Sequence, residues 1–506
     1  MVELKLHIYK KKFDLDQYIC DRFTSPIIFY LGHKMDKRNF YITFVIIDFK
    51  NKNFTYITSY SPENISVVEA SAKQHLFQSE NIYNPHCTIV IDPDEDFYTF
   101  MEEGKYFYYI NMKKKVMKVI TGEDLHCEGS DSIVRFGSTF YKDDEDDRFF
   151  YFTALIKNDS DNETKPQVNY YRSDLHLENI EKIHETSARY NTPHVTRKYK
   201  NTLLNSHFYF ARFKLLNSSK KFVGKGSLYR YIYRNIYNNF CKWMGIEPTD
   251  KGFCKAVVMK KGIPKFSFFF SLYIKYKYGK MDFKQMCDST PEYAFTTLPG
   301  YITLIDLNTD KETMYETTIA SPAHFEIDAG MGDVYVSCHN FVHLVDRIYF
   351  MGPAAIDKFN FHDGKLTKKA TFMIPDGYRY TTHKFFRYQG KAYLCTFSQP
   401  NRLLLIDAET MSLIHYENIG LDYLSKAENV LDFINYNKLE PVTLKTIEVS
   451  DNGEILLFIG YDGIYFYDFP RKKILTRMPY RDATVLFGQI ALDQFYKRTT
   501  HIQYFK

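Results

Sequence analysis

Short runs of alternating apolar and polar residues, separated by turn residues, recur along the chain. Gly330–Asp333, Gln389-Gly390 and Asp451–Gly453 lie between such runs. Glycine-containing turns between alternating runs are typical of β-hairpins. A further apolar run that ends near Asp or Asn then follows the hairpin. Four segments follow all or part of this order, and the pattern predicts that they are repeated units of antiparallel strands: 84–111, 322–338, 383–407 and 444–468.

Histidine recurs at a regular interval ahead of the aromatic runs that are predicted to be strands. His324 and His383 are 59 residues apart, and His501 lies 118 residues beyond His383, which is twice that interval. Four-stranded repeats of about 40–60 residues are typical of propeller blades. With one insertion of about 70 residues set aside, the chain accommodates about seven such units. We therefore predict an all-β fold, a seven-bladed β-propeller.

The units resemble the YVTN-like blades of the β-propeller superfamily, in which Pro-His is followed by Asp-x-x-Gly, Tyr-Val-Ser and Val-x-Asp. The first clear copy of the repeated unit is Asn84–Asn111, and another is carried by Pro322–Asp328 and Val334–Cys338; the resemblance covers about two thirds of the chain. It implies a propeller. For closure of the ring we expect Val2–Tyr9 to pair with His501–Phe505. Two β-sandwiches in tandem are the alternative architecture.

Composition supports the β prediction and limits the class of protein. Apolar residues make up 45% of the 506 residues, which excludes a disordered chain, and 43 Tyr and 44 Phe favour strands over helices. No apolar run reaches the length of a membrane-spanning helix, and the first residues lack the apolar core of a signal peptide. The eight cysteines are scattered without a C-x-x-C pair, as in reduced cytoplasmic proteins. We expect a cytoplasmic protein, with peripheral membrane contact left open.

One segment departs from the strand pattern and divides the chain. We predict first blades at 1–217, a partly helical insertion at 218–290, and the remaining blades and closure at 291–506. Ile232, Ile236 and Phe240 have helical spacing. Between 219 and 286, 15 Lys or Arg face three acids, a local charge of +12 in a chain of net charge +5, so the remainder is near −7.

The basic and aromatic residues of 218–286 allow three interpretations. Aromatic rings at headgroup level and cationic side chains favour an anionic membrane surface. The same residues suit nucleic acid less strongly, through phosphate contacts and base stacking. The third interpretation is a helical cap packed on the propeller with its lysines in water.

The histidines are the candidate chemistry. Inner strands of a propeller run along one axis, so imidazoles from different blades can converge there, and neutral imidazole suits Fe, Cu and Zn. We predict His194, His324, His383 and His501 as ligands of Fe or Cu, with His86 and His126 as further candidates. Glu326 is expected to orient an imidazole from outside the ligand set. The alternative is that each histidine hydrogen-bonds a backbone carbonyl in a turn or channel.

The arrangement of histidines loosely resembles that of the carotenoid cleavage oxygenases, on the segments Pro322–Asp328 and Thr382–Phe386. Members of that family are seven-bladed propellers that hold non-haem iron with four histidines. Two of their ligands are about one blade apart, as are His324 and His383, and their last ligand lies near the C-terminus, as does His501. The resemblance implies an iron-dependent oxygenase.

Other catalytic patterns are weak or absent from the sequence. Gly224–Gly226 is too short for a phosphate-binding loop, and no G-x-S-x-G sequence occurs. The acidic run 142–147 suits either a Ca²⁺ site or, more simply, a solvated turn.

The leading functional prediction is a metal-dependent oxidoreductase or oxygenase, with Fe or Cu held by histidines at the propeller axis and a small apolar substrate. The alternative is a non-catalytic propeller that docks a protein, a membrane surface or RNA. The sequence assigns no catalytic residue other than the metal ligands and no oligomeric state.

Overall fold

The computed structural model is built mainly from antiparallel strands. The residues that it describes are 2–36, 39–61, 89–92, 97–102, 106–111, 113–136, 141–142, 146, 148–156, 167–187, 193–207, 212–215, 221–223, 225–260, 263–278, 295–297, 300–319, 321–339, 341–344, 347–350, 354–374, 383–397, 402–419, 444–460 and 463–479. Within them, six antiparallel sheets have four or more strands, and the helices are few. The prediction of a mostly β chain is confirmed.

Sheet 1 has eight strands and is formed by the N-terminal part of the chain, from Val2 to Ile120. Its order is β2-β3-β4-β1-β8-β7-β6-β5. The strands are β1 (Val2–Lys12), β2 (Ile27–Asp36), β3 (Asn39–Asp48), β4 (Asn53–Ser61), β5 (Ile89–Asp92), β6 (Phe97–Glu102), β7 (Tyr106–Asn111) and β8 (Val116–Ile120), and the short helix α1 (Gln17–Cys20) follows β1.

The described pairing of β1 differs from the one expected for closure. Lys5–Lys12 pairs with β4, and Val2–Lys5 pairs with β8. The expected partner, His501–Phe505, lies outside the described residues. In the described part of the chain β1 therefore joins two four-stranded halves of one sheet.

Sheets 2 and 3 follow along the chain. Sheet 2 contains β9 (Ile133–Phe136), β10 (Tyr141–Lys142), β11 (Phe149–Ile156), β12 (Gln167–Asp174) and β13 (Ile180–Ser187), with β9 and β10 both paired to β11. Sheet 3 contains β14 (Pro193–Tyr199), β15 (Thr202–His207), β21 (Tyr301–Asp306) and β22 (Lys311–Glu316) in that order.

An insertion interrupts sheet 3 between its second and third strands. It contains β16 (Arg212–Leu215), β17 (Lys221–Val223), α2 (Lys225–Met244), α3 (Asp250–Ala256), β18 (Val257–Lys260), β19 (Ile263–Phe266), α4 (Phe268–Tyr278) and β20 (Phe295–Thr297). None of the described helices has the length and hydropathy needed to span a membrane. The domain boundaries at 218 and 290 stay predictions.

Sheets 4, 5 and 6 are four-stranded and run in chain order from their first strand. Sheet 4 contains β23 (Ser321–Asp328), β24 (Asp333–His339), β27 (Ala354–His362) and β28 (Lys365–Ile374), with the hairpin β25 (Phe341–Leu344) and β26 (Arg347–Phe350) between β24 and β27. Sheet 5 contains β29 (His383–Tyr388), β30 (Lys391–Phe397), β31 (Arg402–Asp407) and β32 (Ser412–Asn418). Sheet 6 contains β33 (Leu444–Val449), β34 (Ile455–Gly460), β35 (Gly463–Asp468) and β36 (Lys473–Pro479). The strands predicted at 322–338, 383–407 and 444–468 are thereby confirmed.

Each sheet buries apolar side chains against the next one along the chain. Phe107 of sheet 1 contacts three phenylalanines of sheet 2, and Tyr170 of sheet 2 packs with Leu203 of sheet 3. Apolar clusters also join sheet 3 to sheet 4, sheet 4 to sheet 5 and sheet 5 to sheet 6. Strands that are covered on both faces have nearly continuous apolar sequences, and Leu403–Ile406 is an example.

The last sheet packs on the first. Ile455, Leu457 and Phe466 of sheet 6 share one buried cluster with Val45 and Ile47 of β3.

Polar contacts join the same two parts of the chain. Arg22 Nε lies 2.6 Å from Glu454 Oε2, and the Thr24 amide donates to Asp451 Oδ2 over 2.8 Å. Residues more than 400 positions apart in the chain are therefore held together by both apolar and polar contacts.

Substitution of Phe466 tests the contact between the first and the last sheet. It is fully buried, and its ring lies edge-on to Phe23 and Phe49 at centroid distances of 6.4 and 6.2 Å. We expect Phe466→Ala to lower the free energy of unfolding by about 3–5 kcal/mol, because the cavity forms where two sheets meet. Denaturant unfolding measures the change. Leu413→Ala, at a side chain that is 39% exposed, is the control and should stay within about 0.5 kcal/mol. Equal effects of the two substitutions would contradict the packing.

Candidate functional site

Two of the predicted histidines meet at the junction of sheets 4 and 5. His324 lies on β23 and His383 begins β29, the first strands of consecutive sheets, and these two strands contact each other. The ring centroids are 5.1 Å apart and the ring planes are inclined at 81°. Residues 59 positions apart in the chain thus form one edge-to-face pair.

The surroundings of His324 are acidic. Side chains two apart on a strand share a face, so Glu326 lies beside His324 on β23. His324 Nε2 is 3.1 Å from Glu326 Oε1, and both side chains are only 12% exposed. An ionised carboxylate only accepts hydrogen bonds, so Nε2 of His324 is the donor.

His383 is fully buried and is oriented by the backbone of sheet 4. Its Nε2 lies 3.2 Å from the carbonyl oxygen of Tyr335 on β24. A carbonyl also only accepts, so Nε2 of His383 carries a proton. In both rings the tautomer with a protonated Nε2 is favoured, and in a neutral ring Nδ1 is then the basic nitrogen.

Opposing effects act on the carboxyl group of Glu326. Burial raises its pKa, but the positive charge of Lys384, the hydrogen bond and charge of His324 and the charge of Arg197 lower it. The lowering effects prevail, and the pKa of Glu326 lies well below its usual value. Glu326 is therefore ionised at neutral pH and can hold the proton on His324 Nε2.

Tyr335 and Arg197 support the pair from neighbouring strands. The Tyr335 ring stacks on Phe385 at 5.5 Å and 15°, and its hydroxyl donates to the carbonyl of Ala408 over 3.2 Å. Burial raises the pKa of Tyr335 well above its usual value, so the hydroxyl keeps its proton. Arg197 Nη1 donates to the carbonyl of Phe325 over 3.2 Å and ties β14 to β23.

The remaining predicted histidines are placed only in part. His194 lies on β14, where the pairing with β15 is irregular between Pro193 and Val195, and only its backbone is described. His501 and His86 lie outside the described residues. His126 lies in the loop between two short 3-10 turns, 122–124 and 130–132. In the described part of the chain, no group of three or more His, Cys, Asp or Glu is placed to hold a metal ion. The four-histidine set therefore stays a prediction.

The sequence analysis did not predict three groups that contribute to this site. Lys384 follows His383 directly, so a basic residue next to a candidate ligand was a signal that could have been used. Arg197 lies 127 positions before His324, and no sequence pattern links the two. The carbonyl of Tyr335 is a backbone group, and only the packing of β29 on sheet 4 places it beside His383.

The acidic run at 142–147 is described only in part. Asp146 accepts hydrogen bonds from Arg148, and these contacts lower the pKa of Asp146 to about 2. Arg148 occupies the Asp146 carboxylate, which favours the solvated turn over a Ca²⁺ site.

Comparisons with known proteins identify no family for the chain. No family model matches it, and no curated protein matches it. Among solved structures it is similar to an apocarotenoid oxygenase from Synechocystis, with 8% identity, a TM-score of 0.47, and coverage of 94% of this chain and 93% of that one.

Two further solved structures have similar values. An oligogalacturonate lyase from Vibrio parahaemolyticus has 11% identity and a TM-score of 0.39, with 93% of this chain and 99% of that one covered. A dihydro-heme d1 dehydrogenase has 11% identity and a TM-score of 0.40, with 92% and 74% covered.

The ionised state of Glu326 predicts a pH-dependent stability. A carboxylate with a depressed pKa stabilises the fold above its unfolded pKa, about 4.3, and that stability is lost as the pH falls toward the folded pKa. We expect Glu326→Gln to lower the free energy of unfolding by about 1–3 kcal/mol at pH 7, with a smaller difference from wild type at pH 3.5. Urea unfolding at several pH values measures this.

A surface carboxylate provides the control for that experiment. Asp363 has an 85% exposed side chain beside His362, so Asp363→Asn should leave the pH profile of stability nearly unchanged. A difference between wild type and Glu326→Gln that stays constant from pH 7 to pH 3.5 would contradict the proposed ionisation.

Proposed function

We propose that the protein is a seven-bladed β-propeller that holds a transition metal, Fe or Cu, with histidines at its axis and acts as an oxidoreductase on an apolar substrate. Seven sheet units in the described residues support this count: the two four-stranded halves of sheet 1, the five-stranded sheet 2 and the four-stranded sheets 3 to 6. The first strands β14, β23, β29 and β33 contact one another in succession, as inner strands around an axis do.

The observation that carries the metal proposal is the pairing of His324 with His383. Two imidazoles that bind one ion through nitrogens at about 2.1 Å have centroids about 4.5–5.2 Å apart when they meet at angles of about 90–110°. The observed 5.1 Å falls within that interval. Two such rings from different sheets would supply half of the proposed four-histidine site.

The hydrogen bonds at Nε2 also support metal binding. A histidine that binds a metal through one ring nitrogen usually donates the other N–H to a carboxylate or a backbone carbonyl. His324 uses Glu326 for this contact and His383 uses the carbonyl of Tyr335. Nδ1 of each ring would then be the ligating nitrogen.

His194 and His501 are proposed as the other two ligands. His194 lies on β14, which contacts β23, so its backbone is on the neighbouring inner strand. When bound, the ion would supply the activation of dioxygen next to the substrate. The residues of the chain would orient it: Glu326 holds His324, Tyr335 holds His383, and the charges of Lys384 and Arg197 keep Glu326 ionised.

Metal analysis of the full chain, purified without an affinity tag, tests the proposal. We expect about one equivalent of Fe or Cu, lost in His324→Ala and His383→Ala, because each substitution removes a ligand. Glu326→Gln should keep the ligands and weaken metal affinity by about 10–100-fold.

A surface histidine provides the matched control for these variants. His362 has an 81% exposed side chain, and His362→Ala should bind metal as the wild type does. Folded protein that takes up no Fe or Cu, or that keeps its metal in both His324→Ala and His383→Ala, would refute the metal site.

A non-catalytic binding protein is the second candidate function. It is favoured by the exposed apolar side chains of the inserted helices, such as Phe268, which is 70% exposed. A folded, metal-free protein that still binds a protein, a membrane surface or RNA would support this candidate over the enzyme.

A further inference from the structure

The helices inserted into sheet 3 carry a dense group of exposed apolar side chains. Of the 13 large apolar side chains that are exposed in the described residues, seven lie between 243 and 276. Concentrated apolar exposure of this kind marks an interaction site, whereas single exposed apolar residues are ordinary. Six of the seven define the aromatic patch: Trp243, Ile246, Phe268, Phe269, Leu272 and Tyr276.

The aromatic patch is held in place by a buried layer beneath it. Phe240 of α2 contacts Phe270 and Tyr273 of α4 at centroid distances of 5.3 and 5.4 Å, and these three side chains are buried. On the exposed side, Trp243 stacks on Tyr276 at 6.1 Å and 29°. The two helices therefore share one internal core and present their other apolar residues outward.

The sequence of α4 explains why it has apolar residues on two faces. Phe270 and Tyr273 are three apart and face α2, while Phe269, Leu272 and Tyr276 follow the spacing of a second face. Phe269 is 66% exposed and Tyr276 is 76% exposed. One set of apolar side chains completes the core, and the other stays largely exposed in the described part of the chain.

The charge around the aromatic patch is positive. Between 242 and 277 the chain has eight lysines and two acids, Glu247 and Asp250. Asp250 lies 2.6 Å from Arg234, which offsets its charge. Five of these lysines are exposed: Lys242, Lys251, Lys255, Lys275 and Lys277.

We propose that the aromatic patch binds the surface of an anionic lipid bilayer. Phe268, Phe269 and Leu272 would enter the boundary between headgroups and acyl chains, and the surrounding lysines would contact anionic headgroups. At 11 residues, α4 is about 16 Å long, about half the thickness of the hydrocarbon layer, so it would lie in the plane of the surface. This proposal does not rest on the metal site.

Two other occupants fit the aromatic patch less well. Single-stranded nucleic acid stacks on aromatic rings and contacts lysines, but Ile246 and Leu272 would gain little from bases or phosphates. A second copy of the chain would cover the apolar side chains but would bring the lysines of both copies together, which costs free energy. An anionic bilayer satisfies both the apolar and the basic side chains.

Vesicle binding by the full chain tests the proposal, and the chain carries its own probe. Trp243 is its single tryptophan and is 59% exposed. With phosphatidylcholine vesicles that contain phosphatidylserine, we expect sedimentation with the vesicles and a shift of Trp243 fluorescence to shorter wavelength. With pure phosphatidylcholine vesicles, binding should be weaker by at least about tenfold, because anionic headgroups are absent.

Paired variants separate the two contributions. Phe268→Ser with Phe269→Ser should lower partition to the anionic vesicles by about tenfold or more, because the side chains that enter the bilayer are lost. Lys275→Glu with Lys277→Glu should lower it by a similar factor through lost attraction to phosphatidylserine. All four side chains are exposed, so the unfolding midpoint should stay unchanged and confirm that each variant is folded.

Matched substitutions elsewhere on the surface are the controls. Leu413→Ser with Tyr416→Ser removes exposed apolar side chains of β32, and Lys365→Glu with Lys369→Glu reverses exposed charges of β28. Both control proteins should bind vesicles as the wild type does. Equal losses in the patch and control variants, or binding of single-stranded RNA without binding of anionic vesicles, would overturn the proposal.

Discussion

The buried faces of the β-sheets impose the constraint on which the rest of the structure depends. A sheet that is apolar on both faces must be covered on both faces, and here each sheet covers the next. The last sheet covers the first, because Phe466 packs in one buried cluster with Val45 and Ile47 of β3 and with Phe23 and Phe49 beside that sheet. Sheet-on-sheet packing therefore brings together segments that are hundreds of residues apart, and it places the first strands of consecutive sheets side by side.

The histidine pair is a direct consequence of that packing. His324 and His383 each lie near the start of the first strand of a sheet. Because β23 contacts β29, the two rings are 5.1 Å apart although the residues are 59 positions apart in the chain. The same packing brings Lys384 and Arg197 near Glu326, so the ionisation of one carboxylate depends on three strands. The insertion in sheet 3 is different, because α2 and α4 build a core of their own and leave their second apolar faces exposed.

Much of the fold could be predicted because strand and turn patterns are local. The alternation in 383–407 and 444–468 indicates strands whether or not a neighbouring sheet is known, and the turn at Asp451–Gly453 follows from residues that tolerate it. The pairing of β1 could not be predicted in this way. Its partners β4 and β8 are chosen by sheet edges that become available only after folding.

The sequence by itself determined the class of secondary structure, the spacing of the repeated strand units, the basic and aromatic character of the insertion, and the positions of the candidate histidines. Only the tertiary structure decided which partner each of these residues meets. Gly453 shows the difference, since its φ of +74° belongs to the local turn, whereas the neighbouring sheet leaves no room there for a larger side chain: a Cβ would meet the carbonyl of Arg387 at 2.1 Å. Local conformational preferences depend on residues that are near neighbours in the chain. Side-chain packing, strand pairing and the interactions between buried charges depend on residues that only the fold brings together.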